Sequence, residues 1–181
     1  MFLHLDGARI ANAAVTLDKS FKEITFDAGV DVISFGGTKN GMLMGEAVVF
    51  ADGNVAGDFE YYRKQAMQLA SKMRFISVQF LAYFENDLWQ KNARHANRMA
   101  QLLYEKVKDV PEVEIIYPVQ TNGVFARIPK EIIPKLQSEI FFYVFDEQES
   151  IVRWMCSFDT TEEDIENFVA LLKKEIEKAI V

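Results

Sequence analysis

Ser34-Phe35-Gly36-Gly37-Thr38-Lys39-Asn40-Gly41 follows a short apolar run, Val30-Asp31-Val32-Ile33, whose pattern reads as the end of a buried strand. Gly36 and Gly37 let the backbone turn tightly and leave room for a ligand to come close. Thr38 offers a hydroxyl and Lys39 an amine. A lysine sheltered from water at a strand end is a nucleophile toward aldehydes, with which it forms imines. The plainer reading is a glycine-rich turn with a solvated lysine, because Gly-Gly-Thr-Lys alone is a weak motif.

Upstream, residues 2–5 (Phe-Leu-His-Leu) read as a strand broken by Asp6-Gly7. A core strand with no lead-in implies a chain that has been cut or a gene that is truncated. Alternation puts His4 and Asp6 on one face. A helix is expected over 8–17, with Arg9 in its first turn near Asp6. The two would form a structural ion pair, or Asp6 would meet a positive group on a ligand. A loop with a short helix over 21–29 and strands over 30–35 and 45–50 follow. This is the rhythm of an α/β sheet, in which ligands sit at strand ends. Asp6 and Lys39 both lie just past strand ends.

The 181 residues, 50% of them hydrophobic with 15 Phe, can build a packed core. A net charge of −7 argues against nucleic acid as a partner. One cysteine, Cys156, excludes an internal disulfide, and the two histidines, His4 and His95, give no zinc spacing. No metal site is expected. No apolar run reaches the length of a membrane span and the N-terminus carries no signal peptide, so a soluble cytoplasmic protein is expected.

Downstream, residues 58–109 read as helix, broken near Ser71 and near Asn86-Asp87 and ended by Pro111. Ala96, Met99, Ala100, Leu103 and Val107 form one apolar stripe. Lys64, Lys72 and Arg74 are expected on a solvated or interface face, and His95 is expected to be exposed. Strands are expected over 113–117, 123–128, 141–145 and 151–156, with a short helix bracketed by Pro129 and Pro134. Thr160-Thr161-Glu162-Glu163 reads as a capping box before a helix on Ile165, Phe168, Val169, Leu172 and Ile176. Arg153 shares a strand face with apolar Ile151 and Met155, and a charge there needs a partner. Either this is an edge strand with its arginine in water, or the arginine forks onto a carboxylate.

His4-Leu5-Asp6-Gly7-Ala8-Arg9, Ser34 through Gly41, Ser71-Lys72-Met73-Arg74-Phe75, and Val152-Arg153-Trp154 followed by Ser157-Phe158-Asp159-Thr160-Thr161 carry a resemblance. With these residues the chain resembles the C-terminal part of low-specificity L-threonine aldolases over essentially all of its length. The pairing of Asp-Gly-Ala-Arg with the later Thr-Lys is far more specific than either motif alone.

The resemblance implies an α/β fold of the aspartate aminotransferase type, fold type I, with pyridoxal 5'-phosphate as cofactor. Residues 1–57 would be the C-terminal part of the cofactor-binding large domain, with only part of its sheet. Residues 58–110 would be connecting helices, and 111–181 a small α+β domain with an antiparallel sheet. Lys39 would carry the cofactor covalently, with Thr38 beside it, and Asp6 would bind the pyridine nitrogen. Arg9 would sit beside the ring and the substrate carboxylate, which Arg153 would hold. Arg74 would reach the cofactor phosphate of a neighbouring subunit in a homodimer or homotetramer.

The implied reaction is cleavage of L-threonine or L-allo-threonine to glycine and acetaldehyde. A base takes the β-hydroxyl proton, the Cα–Cβ bond breaks, and the ring takes up the electrons. Family members are roughly twice as long, so the half that grips the phosphate and stacks on the ring would be missing, and His4 is not that stacking histidine. Two other readings stand beside this one. The chain could belong to another fold type I lyase, such as a β-eliminating lyase, or be an inactive fragment that only folds or pairs.

Overall fold

The apolar run before the glycine turn forms a strand because it has a parallel neighbour. In the computed structural model, which describes residues 1–180, β1 (His4–Gly7) pairs with β2 (Val32–Gly36), with His4 opposite Val32 and Asp6 opposite Ser34. The partner sets the first strand's register. It starts at His4 rather than in the apolar lead, and Phe2 and Leu3 are exposed. Leu3 joins only through its carbonyl, which accepts from Asp31 and Val32, and its N–H, which donates to Asp31 Oδ2 at 2.8 Å.

Helix α1 (Ile10–Leu17) crosses between the two strands. It begins two residues later than the expected 8–17, because Asp6 Oδ1 accepts the Ala8 N–H at 3.0 Å and Arg9 is non-helical at φ −133°. β3 (Glu46–Phe50) adds antiparallel to β2, giving the order β1-β2-β3. Ile33 and Phe35 enter a core with Ile10, Met42 and Tyr83, against which Leu5 packs. Alternation turns His4, Asp6 and Ser34 to the opposite face.

Short α2 (Gly53–Ala56), capped by Asp52 through the Asn54 N–H, leads to α3 (Phe59–Gln65), α4 (Met73–Phe84) and α5 (Leu88–Val107). The expected breaks occur: residues 66–72 are not helical, and Asn86 (φ 53°) and Asp87 (φ 56°) take left-handed backbone, which these residue types tolerate. The chain divides into two units, Met1–Ala93 and Arg94–Val181.

In the second unit β4 (Glu114–Ile115), β5 (Gly123–Arg127), β6 (Tyr143–Asp146) and β7 (Ile151–Met155) form an antiparallel sheet in the order β4-β5-β7-β6. The strand expected over 113–117 shrinks to two residues, Glu114 and Ile115, in register with Arg127 and Ala126 of β5; beyond them the Ile116 N–H still donates to Phe125 O at 2.9 Å. The one expected over 141–145 moves to 143–146, since Phe142 is buried in the core and its carbonyl accepts from Gln137. Pro134 does not end the short helix; it sits in the first turn of α6 (Ile133–Gln137), where its missing N–H costs nothing.

Helix α7 (Glu162–Ile180) and the α5 stripe cover the face carrying Val124, Ala126, Val152 and Trp154. All five expected α5 residues and all five on α7 are buried. Burying each large apolar side chain contributes about 1.5–3 kcal/mol. The capping box is shifted by one residue. Thr161 Oγ1 accepts the Asp164 N–H at 3.0 Å and Asp164 Oδ2 accepts the Thr161 N–H at 2.8 Å. Thr160 is drawn away because its hydroxyl accepts the Ser157 N–H.

Candidate functional site

Parallel pairing puts the C-terminal ends of β1 and β2 at one edge of the sheet, and that edge carries Asp6 and Lys39. Asp6 sits opposite Ser34, with its exposed carboxylate anchored by the Ala8 N–H. Ser34 Oγ lies 2.9 Å from His4 Nε2, on the same face. Arg9 is half-buried at the start of α1, so the Asp-Gly-Ala-Arg run wraps the end of β1.

The glycines of the turn serve the protein's own packing. A Cβ on Gly36 would lie 2.8 Å from Ala8 Cα and 3.0 Å from Ala8 O, so only glycine lets the end of β2 touch the turn after β1. A Cβ on Gly37 would collide with Met42 Sδ. Thr38, Lys39 and Asn40 then form a single 3-10 turn ended by Gly41 at φ 106°. Thr38 Oγ1 accepts the Gly45 N–H at 3.0 Å, which closes the loop. Lys39 is exposed, so the residues described here do not supply the shelter expected at that position.

Asn40, next to Lys39, is 3% exposed and was not singled out from sequence. Its Nδ2 donates to Tyr83 Oη at 2.6 Å and to Trp89 O at 2.9 Å, while its backbone carbonyl accepts from Asn92 Nδ2 at 2.9 Å. Three residues from α4 and α5 thus pin the turn that presents the lysine. Burial pushes the Tyr83 hydroxyl's pKa up, with the Asn40 bond opposing it. The only signal in sequence was a lone Asn between a lysine and a glycine, and the partners lie more than forty residues away.

Arg74 is exposed in the first turn of α4, with its Cζ 4.9 Å from the Phe75 ring centroid. The Lys39 amine, the Asp6 carboxylate and the Arg9 guanidinium, carried at or just past the ends of β1 and β2, form a donor set that fits an anionic, aldehyde-bearing pyridine cofactor. Arg153 belongs to the second unit. It is half-buried on β7, an inner strand between β5 and β6, so the edge-strand reading is corrected. His95 is half-buried as well, not exposed as expected, with Nε2 2.6 Å from Thr160 O.

The chain matches the family model described as beta-eliminating lyase over residues 1–131. It is 48% identical over 161 residues to a low specificity L-threonine aldolase of Pseudomonas aeruginosa, covering 88% of this chain and 46% of that protein. It is 45% identical to a protein of the same name from another Pseudomonas strain, covering 93% of this chain and 49% of that one. The chain therefore spans about half the length of the curated relatives it matches.

Among solved structures, a Leishmania major threonine aldolase superposes with a TM-score of 0.83 at 24% identity, covering 96% of this chain and 52% of that one. An Oryza sativa TDC solved with PLP gives 0.72 at 16%, covering 99% and 42%. These likenesses show the fold, an α/β arrangement of fold type I. Threonine aldolases and the beta-eliminating lyase family depend on pyridoxal phosphate. No helix among the described residues is long and apolar enough to cross a membrane. A family match over most of the chain, on the sheet edge that carries Asp6 and Lys39, shows that the chain belongs to the beta-eliminating lyase family.

Proposed function

We propose that this chain is the C-terminal part of a pyridoxal-phosphate-dependent L-threonine aldolase, which cleaves L-threonine or L-allo-threonine to glycine and acetaldehyde. The observation that carries the reading is the parallel pairing of β1 with β2, which gives Asp6 and Lys39 a common sheet edge. The identities of 48% and 45% to threonine aldolases support the substrate. Residues 1–57 complete the large domain, 58–110 connect, and 111–181 form the small domain.

When bound, pyridoxal phosphate supplies an aldehyde for an amine to condense with and a ring that withdraws electrons. Lys39 binds that aldehyde through its amine, with Thr38 closing the turn beside it. Asp6 holds a proton at the pyridine nitrogen, keeping the ring electron-poor. Arg9 orients the ring and the substrate carboxylate, and Arg153 grips that carboxylate through a planar fork. Arg74 reaches the phosphate bound in a neighbouring subunit. The protein works as a cytoplasmic homodimer or homotetramer. Exposed Phe75, Val78 and Leu81 on α4 support association, and the single buried cysteine suits a reducing compartment.

The test is to add pyridoxal phosphate to the purified chain, reduce with borohydride and map the peptides, while assaying acetaldehyde release from threonine in the full-length parent. The expected adduct is on Lys39 and is absent from Lys39→Ala. An adduct retained at that peptide in Lys39→Ala, or mapped to another lysine, overturns the assignment. Pyruvate from serine without acetaldehyde from threonine would instead assign β-elimination. A stable oligomer that takes up no cofactor would mark an inactive fragment.

A further inference from the structure

Two arginines on neighbouring strands of the second unit have opposite surroundings. Arg127 on β5 is neutralised twice: Nη1 pairs with Glu114, Nη2 lies 3.0 Å from Glu149 Oε2, and Nε donates to Glu149 O at 3.1 Å. Arg153 on β7 has no carboxylate partner among the described residues, and its Nε is shut off from solvent without a hydrogen-bond partner. A polar N–H sealed in this way costs free energy unless its surroundings hold it for another purpose.

Aromatic residues flank it on both neighbouring strands instead. Arg153 is in register with Phe125 on one side and Tyr143 on the other. Its Cζ lies 5.3 Å from the Tyr143 ring centroid. Phe125 is itself braced edge-on by Tyr117 at 5.5 Å and Phe145 at 5.0 Å. A ring against a guanidinium attracts its face and holds its plane. With Nε closed off, only Nη1 and Nη2 remain to form a fork.

We infer that Tyr143 is a positioning residue for Arg153. Its ring fixes the guanidinium plane and closes off Nε, so that Arg153 meets a small carboxylate end-on through its two terminal nitrogens. This rests on the proposed role of Arg153 in holding the substrate carboxylate. It adds the residue that aims the arginine and the edge of the fork that is used. The phenol hydroxyl has no part in it, so the aromatic ring alone is required.

The experiment records side-chain Nε–H signals of the whole chain by ¹H–¹⁵N NMR, with Arg153 identified by the signal lost in Arg153→Lys. Its Nε–H is expected to exchange with water at least about tenfold more slowly than that of exposed Arg98, because buried amides exchange only through opening. Tyr143→Phe keeps that protection and Tyr143→Leu loses it, while the Arg127 signal stays in place as an internal control for folding. If the leucine variant disturbs Arg127, the strand-favouring Tyr143→Val carries the same test.

Titration with glycine, a minimal amino-acid carboxylate, should shift the Arg153 signal. Its affinity should fall by about threefold to thirtyfold in Tyr143→Leu but not in Tyr143→Phe, the range expected for one cation–π contact. Equal Nε–H protection with and without the ring overturns the positioning role. That arm needs no ligand, so it is separate from the second: wild-type signals unmoved by glycine overturn the carboxylate reading itself.

Discussion

Replacing Asn40 by alanine should loosen the turn that presents Lys39. The variant removes two hydrogen bonds, to Tyr83 Oη at 2.6 Å and to Trp89 O at 2.9 Å. Tyr83 is 2% exposed, so its hydroxyl gains no water in exchange. A buried polar group left unpaired costs about 1–3 kcal/mol, which puts the whole change at about 2–4 kcal/mol. Tyr83→Phe takes away one bond and leaves the Trp89 contact, so it should cost about 1 kcal/mol.

The two variants share the Asn40–Tyr83 bond, so the double variant should cost about 1 kcal/mol less than their sum. Hydrogen exchange of peptides spanning β1 and β2 reads the first unit alone. At about 1.4 kcal/mol per factor of ten, Asn40→Ala should speed exchange there by about thirtyfold to several hundredfold. Exchange within about threefold of the wild type, or strict additivity in the double variant, would refute the clamp, since neither fits two lost buried bonds.

Gly36→Ala should cost about 1–3 kcal/mol by thermal unfolding, since the new Cβ meets Ala8 backbone atoms at 2.8 and 3.0 Å. Gly53→Ala, with nothing within 4 Å, is the control and should stay within about 0.5 kcal/mol. Thr161→Ala should cost about 1 kcal/mol of α7 stability through loss of the cap on the Asp164 N–H. The Thr161 hydroxyl and N–H hold the Asp164 carboxyl below its usual range. That part of the stabilisation is present above about pH 4, the unfolded aspartate value, and is lost on further acidification, so the gap between wild-type and variant acid-unfolding curves should narrow to the part contributed by the cap on the Asp164 N–H. Burial pushes the Cys156 thiol up to about 12. Its contribution to stability is intact below about pH 8.5, the unfolded value, and is lost as pH rises toward the folded one. At pH 8 a thiol reagent should therefore label Cys156 only at the rate of opening, and prompt labelling of folded protein would contradict the burial.

The sequence by itself determined what depends on near neighbours. The stripe from Ala96 to Val107, the α7 stripe and the helix breaks at residues 66–72 and Asn86 all follow from short-range periodicity and backbone preference. The apolar runs before Gly7 and before Gly36-Gly37 located both strands for the same reason, although Asp6, expected just past the first strand, lies within β1. Only the tertiary structure decided what spans the chain. It showed that Gly36 and Gly37 make room for Ala8 and Met42, that Asn40 reaches Tyr83, and that His95 is held against Thr160. It also placed β7 inside its sheet, in the order β4-β5-β7-β6, which sets Arg153 between Phe125 and Tyr143. Strand order and partner choice are set by which apolar faces can be buried together. That depends on every element at once, and no local window contains it.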